Sequence, residues 1–170
     1  MIWRIIKNDS LSDEDKLRIA EIKNQHWPYG ISSQLEWMKQ NIKDEDYHLI
    51  GEDRPYSSFL LSYSTLSRLF VNIDDTNYEA IGVGGVCVSK SILHCGMGKQ
   101  LMEEVDCFIR KQGKPGILLC QDKVVEFYMK YNWMLVDFNS AIVAGMPYYY
   151  NILTLDNTVS CNEIVVDRNF

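Results

Sequence analysis

The chain has 170 residues, 46% of them hydrophobic, and a formal net charge of −6 at neutral pH. That length suits one domain, residues 1–170, with enough apolar side chains for a full core and no compositional mark of disorder. The acidic balance argues against a nucleic-acid binder, which would show a basic face, and the apolar runs are far too short to span a bilayer.

Residues 3–6 read as a short first strand. Ser12 with Asp15 three positions on is a capping box. The helix it opens carries Leu17, Ile19, Ala20 and Ile22 and should stop before Pro28. Ser33 and Glu36 repeat the capping pattern, and Leu35, Met38 and Ile42 then fall at helical spacing, so a second helix is expected to about residue 42. Residues 47–50 form a strand that Arg54-Pro55 breaks. Residues 56–73 alternate in part and read as one or two antiparallel strands, followed by the turn cluster Asp74-Asp75-Thr76-Asn77. Residues 80–88 are apolar on both alternating faces, as a central strand should be. Gly82, Gly84 and Gly85 interrupt it, and glycine inside a strand marks a bulge or a close backbone approach.

A helix after Gly98 carries Leu101, Val105, Phe108 and Ile109 on one stripe and ends at Gly113, with Pro115 just beyond. Residues 117–120 are a buried strand, 123–131 a short helix and 133–138 another strand. Residues 148–155 close the sheet, so that Tyr148, Tyr149 and Tyr150 read as strand residues. The order is β-α-α-β-β-β-α-β-α-β-β, a mixed α/β fold with helices on both faces of the sheet.

Five cysteines, Cys87, Cys95, Cys107, Cys120 and Cys161, form no CxxC pair, and His26, His48 and His94 have no ligand spacing, so no metal is expected. No secretory leader is read at the start, which makes a cytoplasmic protein the default.

The chemistry concentrates where the central strand hands over to the long helix, in Leu93-His94-Cys95-Gly96-Met97-Gly98. A helix N-terminus has unpaired amides and a positive dipole end, and glycines let a bulky anion approach. Two familiar phosphate motifs fail. A P-loop needs Gly and Ser/Thr where this chain has Leu93 and Gln100, and GxGxxG beginning at Gly82 meets Cys87 at its last position.

The segment resembles the Arg/Gln-x-x-Gly-x-Gly/Ala pattern of the GNAT superfamily of acyl-CoA-dependent N-acyltransferases. A central strand precedes it and a long helix follows. Then come a buried strand, a short helix with Phe127-Tyr128, and Asn132-Trp133 where the family has a glycine-aromatic pair. The resemblance covers roughly residues 80–138. It departs at Leu93, where Arg or Gln is usual, and at Gln121 and Val124, where Asn and Ala are common. Asn132 replaces Gly but tolerates the left-handed conformation.

The resemblance implies a mixed, mostly antiparallel twisted sheet. It also implies an N-acetyltransferase that moves an acetyl group from acetyl-CoA, its co-substrate, to a primary amine of a small molecule or peptide. The backbone of Val86, Cys87 and Val88 would pair with the pantetheine arm, in a slot opened by a bulge near Gly84-Gly85. Amides of His94, Cys95, Gly96, Met97, Gly98 and Lys99 would hold the pyrophosphate, with Gln121 also on the cofactor side. Tyr128 would be the general acid for the leaving thiolate, and an amide near Val86 would polarise the thioester carbonyl.

Glu79 is the candidate base for the amine, and it equally fits a solvated turn residue. Tyr128 taken alone also fits ordinary packing. Trp27, Tyr29 and Trp37 fit an acceptor cleft and core packing about equally. No His or acidic partner stands in register with Cys87 or Cys95 as a nucleophile. A non-catalytic acyl-CoA-binding or interaction module with the same fold is the alternative, supported by Leu93 and the lack of a clear base. Aminoglycosides, polyamines, amino acids and peptide N-termini all stay open as acceptors, and so does the oligomeric state, a homodimer included.

Overall fold

In the computed structural model, which describes residues 1–55 and 57–170, local chemistry sets the first helices. Ser12 caps α1 (Asp13–His26): its hydroxyl accepts from the Asp15 amide at 3.1 Å and donates to the Asp15 carboxylate at 3.0 Å. Helix α2 (Ile31–Asn41) begins earlier than the Ser33–Glu36 pattern predicts, because its cap is Gly30. With φ of 92°, Gly30 turns the chain into the new helix; its amide donates to the Asn24 side chain at 2.8 Å, and its carbonyl accepts from Gln34 at 3.0 Å. Ser33 therefore sits inside the first turn and caps nothing.

The chain forms two compact units, one of Met1–Ser67, Gly84–Val105 and Phe170, the other of Arg68–Val83 and Asp106–Asn169. In the first, β1 (Ile2–Lys7) pairs antiparallel with β2 (Tyr47–Glu52), and β2 with the start of β3 (Ser62–Ile73). The segment expected as one or two strands is thus the single strand β3; its first expected residue, Tyr56, lies outside the described residues. Apolar side chains of α1 and α2 fill the core of this unit, with Ile19, Ile22 and Met38 against Ile50, Tyr63 and Cys87.

Beside that core lies a largely buried charge cluster. Arg4 reaches Asp15 at 2.7 Å and Glu52 at 2.8 Å, Arg18 reaches Glu52 at 2.7 Å, and Arg18 also pairs with Asp15. Burial alone would push the Asp15 carboxyl up, but hydrogen bonds from Arg4, Arg18 and Ser12 hold it below the usual carboxylate range.

The second unit is a ring of pairings. β3 and β4 (Thr76–Val88) meet at Asp74 and Asp75, whose φ values of 44° and 66° suit a tight hairpin. β4 pairs parallel with β5 (Gly116–Cys120), from Ile81↔Gly116 to Val83↔Leu118. β5 pairs antiparallel with β8 (Asn151–Leu155), and β8 with β6 (Trp133–Val143), which also carries the short β7 (Met146–Pro147). β9 (Val159–Val166) runs parallel to β6 and antiparallel to β3, which closes the circuit.

Two expectations are corrected here. Tyr148, Tyr149 and Tyr150 lie outside any strand; Tyr148 and Tyr150 instead pack edge to face with ring centroids 5.7 Å apart. Residues 148–155 also do not close the sheet, because β9 follows. Its buried Ile164 and Val166 stand at one end of a mostly polar segment, so its alternation is weak.

Helix α3 (Met97–Gln112) buries Leu101, Val105, Phe108 and Ile109, as its stripe predicts, and stops before Gly113 at φ 62°. Helix α4 (Asp122–Met129) follows β5. No helix among the described residues is long and apolar enough to cross a membrane.

Gly116 starts β5 where a Cβ would lie 2.9 Å from both Ile109 Cδ1 and the buried Trp133 ring. Overpacking of this kind costs about 1–3 kcal/mol. Gly116→Val is expected to lose that much in a urea denaturation; a variant as stable as the parent would refute this packing.

Candidate active site

The pairing of β4 with β5 ends at Val83, and β4 runs on to Val88. The two glycines that follow Val83 serve different needs. A Cβ on Gly84 would lie 2.5 Å from the backbone carbonyl carbon of Phe170, so only glycine admits that backbone. Gly85 has φ of 59°, a left-handed residue that breaks the extended strand where the sequence suggested a bulge.

Past this kink Val86 and Val88 are half-buried, while Cys87 turns into the core. Burial pushes the Cys87 thiol up to about 12, with Lys23 acting weakly the other way, so it is no nucleophile at neutral pH. The Val88 carbonyl lies 2.6 Å from His26 Nε2.

After a short 3-10 turn (Lys90–Ile92) the loop reaches α3 through two left-handed residues, His94 at φ 65° and Gly96 at φ 78°. A Cβ on Gly96 would meet nothing within 4 Å, so the need for glycine is conformational rather than steric. The Gln100 amide donates to the Gly96 carbonyl at 3.3 Å, which makes Gly96 the residue before the first turn. The amides of Met97, Gly98 and Lys99 then have no carbonyl in the helix to bind. Lys99, whose place in a first turn opposes the dipole, reaches down the helix to Glu103 at 3.7 Å. Leu93 and Cys95 are exposed. Amides left without a helix carbonyl at the positive end of a helix are suited to a phosphate.

A cavity of about 380 Å³ opens between the first two helices and β4. Trp27, Tyr29 and Trp37 line it, and Trp37 also packs against the core of the first unit; Gly85 and Phe170 form part of its wall. Lys23 also lines it, and the sequence reading missed this residue. The signal was there: Lys23 stands four positions after Ile19, on the buried face of α1.

The second unit holds the other candidates. Tyr128 is buried in α4, its ring edge to face with Phe127 at 5.1 Å. Gln121 occupies the cap position of α4 without a side-chain capping bond. Glu79 is ion-paired with both Lys114 and Arg68, whose hydrogen bonds hold its carboxyl below the usual range. A carboxylate so held is a weak proton acceptor. Among the described residues, no group of His, Cys, Asp or Glu could hold a metal ion.

No protein-family model matches the chain, and no curated protein does. Solved structures do. An acyl-CoA N-acyltransferase from Pseudomonas aeruginosa aligns with a TM-score of 0.65 at 16% identity, over 91% of this chain and 99% of its own. A GNAT family acetyltransferase from Brucella melitensis, in complex with acetyl-CoA, aligns with a TM-score of 0.59 at 16% identity, over 96% and 94%. An aminoglycoside 6′-N-acetyltransferase complexed with coenzyme A aligns with a TM-score of 0.64 at 14% identity, over 91% and 96%. At these identities, what is shared is the fold.

Proposed function

We propose that this chain, which has the fold of the GNAT acyltransferases, is an acetyl-CoA-dependent N-acetyltransferase acting on a primary amine. The observation that carries the reading is the junction of β4 and α3, where left-handed His94 and Gly96 lead into a helix whose first amides, those of Met97, Gly98 and Lys99, have no carbonyl in the helix to bind. The acetyl-CoA and coenzyme A held by two structural neighbours support the same cofactor class.

When bound, acetyl-CoA supplies a thioester open to attack by an amine, with CoA leaving as the thiolate. The backbone of Val86, Cys87 and Val88 would hold the pantetheine arm along the part of β4 beyond its register with β5. The amides of His94, Cys95, Gly96, Met97, Gly98 and Lys99 would hold the pyrophosphate, and Gln121 would stand on the cofactor side. Tyr128 would give a proton to the departing sulfur. The cavity beside Gly85 would hold the acceptor and fix its approach, which is where much of the rate would come from.

Calorimetric titration with acetyl-CoA tests the reading, with CoA and ATP as controls. Binding of acetyl-CoA and CoA at roughly micromolar to millimolar levels, with no response to ATP, is expected. Absence of binding would overturn the reading. Gly96→Val places a β-branched residue at a left-handed position, which costs about 1–2 kcal/mol. It should lower Tm by roughly 2–8 °C and weaken acetyl-CoA binding of the folded protein roughly tenfold; unchanged affinity would take the loop out of the cofactor site.

One observation favours a second reading. The ion pairs of Glu79 leave it a poor base, as a non-catalytic acyl-CoA-binding module would tolerate. That module would bind acetyl-CoA and release no thiol with any amine.

A further inference from the structure

Lys23 is only 5% exposed, yet it faces a cavity. Its ammonium sits 4.2 Å from the centre of the Trp37 ring, a cation–π contact. Among the described residues no carboxylate pairs with it and no hydrogen bond satisfies its three N–H donors. Burying an ammonium without a counter-ion is costly. Elsewhere in the same unit the chain pairs its inward-facing cations, since half-buried Arg4 and buried Arg18 face buried Asp15 and Glu52, two cations for two carboxylates. Lys23, on the same helix as Asp15 and Arg18, has no such partner.

The groups that feel its charge supply none. Burial pushes the Cys87 thiol up to about 12 and the His48 imidazole down to about 4, so both are neutral near pH 7. Burial also pushes the Lys23 ammonium down to about 8, which still leaves it mostly charged near pH 7.

The rest of the wall has a matching character. Trp27, Tyr29 and Trp37 present aromatic surface, and Gln34, whose amide donates to the Trp27 carbonyl at 2.7 Å, adds a neutral polar side chain. A polycationic acceptor would put like charge against Lys23 in a low-dielectric pocket, which is strongly unfavourable. An anionic group would complete the pair.

We propose that Lys23 sets acceptor specificity by pairing with a carboxylate on the substrate, so that the acceptors are amines of amino-acid type. This rests on the N-acetyltransferase reading and narrows it: of the acceptor classes left open by the sequence, polyamines and aminoglycosides are excluded. The carboxylate belongs either to a free amino acid or to a short peptide. The aromatic walls favour an apolar side chain beside it.

The test separates this inference from the reading beneath it. The intact protein is titrated with L-phenylalanine, phenylalanyl-glycine and the amides of both, following tryptophan fluorescence, since Trp27 and Trp37 line the cavity. No acetyl-CoA is present. The same four compounds are then assayed as acceptors by release of CoA thiol.

We expect at least one of the acids to bind and react in preference to its amide, and which acid does so identifies the source of the carboxylate. Lys23→Met should abolish that preference, raising Kd for the acid roughly 30-fold or more while leaving the amide unchanged. Lys23→Arg should keep it. Loss of a buried charge makes Lys23→Met at least as stable as the parent in a thermal melt, so a folding defect will not mimic the result.

Equal binding of acid and amide, binding of neither, or better turnover of spermidine than of either acid overturns the inference, even where acetyl-CoA binds and thiol is released. Failure of acetyl-CoA to bind, with the acid preference intact and dependent on Lys23, would instead overturn the acetyltransferase reading and leave the carboxylate site standing.

Discussion

Tyr128→Phe should lower kcat by about 100-fold or more and leave the affinity for acetyl-CoA where it was. The substitution removes one oxygen and keeps the ring. Tyr128 is buried in α4 with its ring against Phe127, and a phenyl group fills the same space and keeps the edge-to-face contact. The fold should therefore hold, and a thermal melt of the variant checks that it does. What changes is the proton. A phenol is protonated at neutral pH and can supply a departing thiolate; a phenyl ring cannot. If CoA binding is intact and turnover collapses, the loss lies in a step after binding. If turnover is unchanged, Tyr128 is a packing residue, and the proton comes from solvent or the amine itself. Because a general acid acts most on poor leaving groups, a more acidic thiol in place of CoA should recover part of the lost rate in Tyr128→Phe. A merely structural tyrosine would not show that recovery.

The parts of this molecule that sequence makes legible depend on neighbours along the chain. Ser12 and Asp15 are three residues apart, and the capping bonds between them form as the pattern requires. Asn132 takes φ of 62°, the left-handed geometry that its place before β6 suggests, and Gly113 at 62° ends α3. The handover from β4 to α3 is also local, which is why the glycine-containing loop before the helix could be picked out there.

The opaque parts depend on partners brought from afar. Glu79 has the position of a base in sequence, but its ion pairs come from Arg68 on β3 and Lys114 beyond α3. Gly84 looks like a bulge residue, while its tightest neighbour is Phe170, which no local pattern predicts. The place of Lys23 on the buried face of α1 is legible from its spacing to Ile19, but the Trp37 ring that the folded chain sets beside it is not. The start of α2 was misjudged for a different reason. Ser33–Glu36 is a valid capping pattern, and Gly30 nucleates the helix first by turning the chain with a positive φ.

The other large effect concerns stability, and it falls on Glu52. This fully buried carboxylate accepts from Arg4 Nε at 2.8 Å and from Arg18 Nη1 at 2.7 Å. Glu52→Gln keeps the shape and removes the charge, leaving the buried Arg18 and the half-buried Arg4 to share Asp15. Breaking a buried pair by removing one partner costs about 3 kcal/mol or more, which for a chain of this size is a drop of roughly 6–12 °C in Tm. Asp15 carries the pH dependence of the same cluster. Its folded-state pKa is depressed, so the native state binds its proton less readily than the unfolded chain. The stability it contributes is fully present above the unfolded carboxylate value of about 4. It is lost as pH falls from there through the lower folded value. Denaturation profiles recorded between neutral pH and pH 2 should therefore steepen below about 4 in the parent and flatten in Asp15→Asn. Parallel profiles would mean that the guanidinium groups find other partners when Asp15 is gone. Glu52→Gln should start lower at neutral pH and keep a steep acid limb, because Asp15 then faces both arginines alone and its proton is still harder to bind.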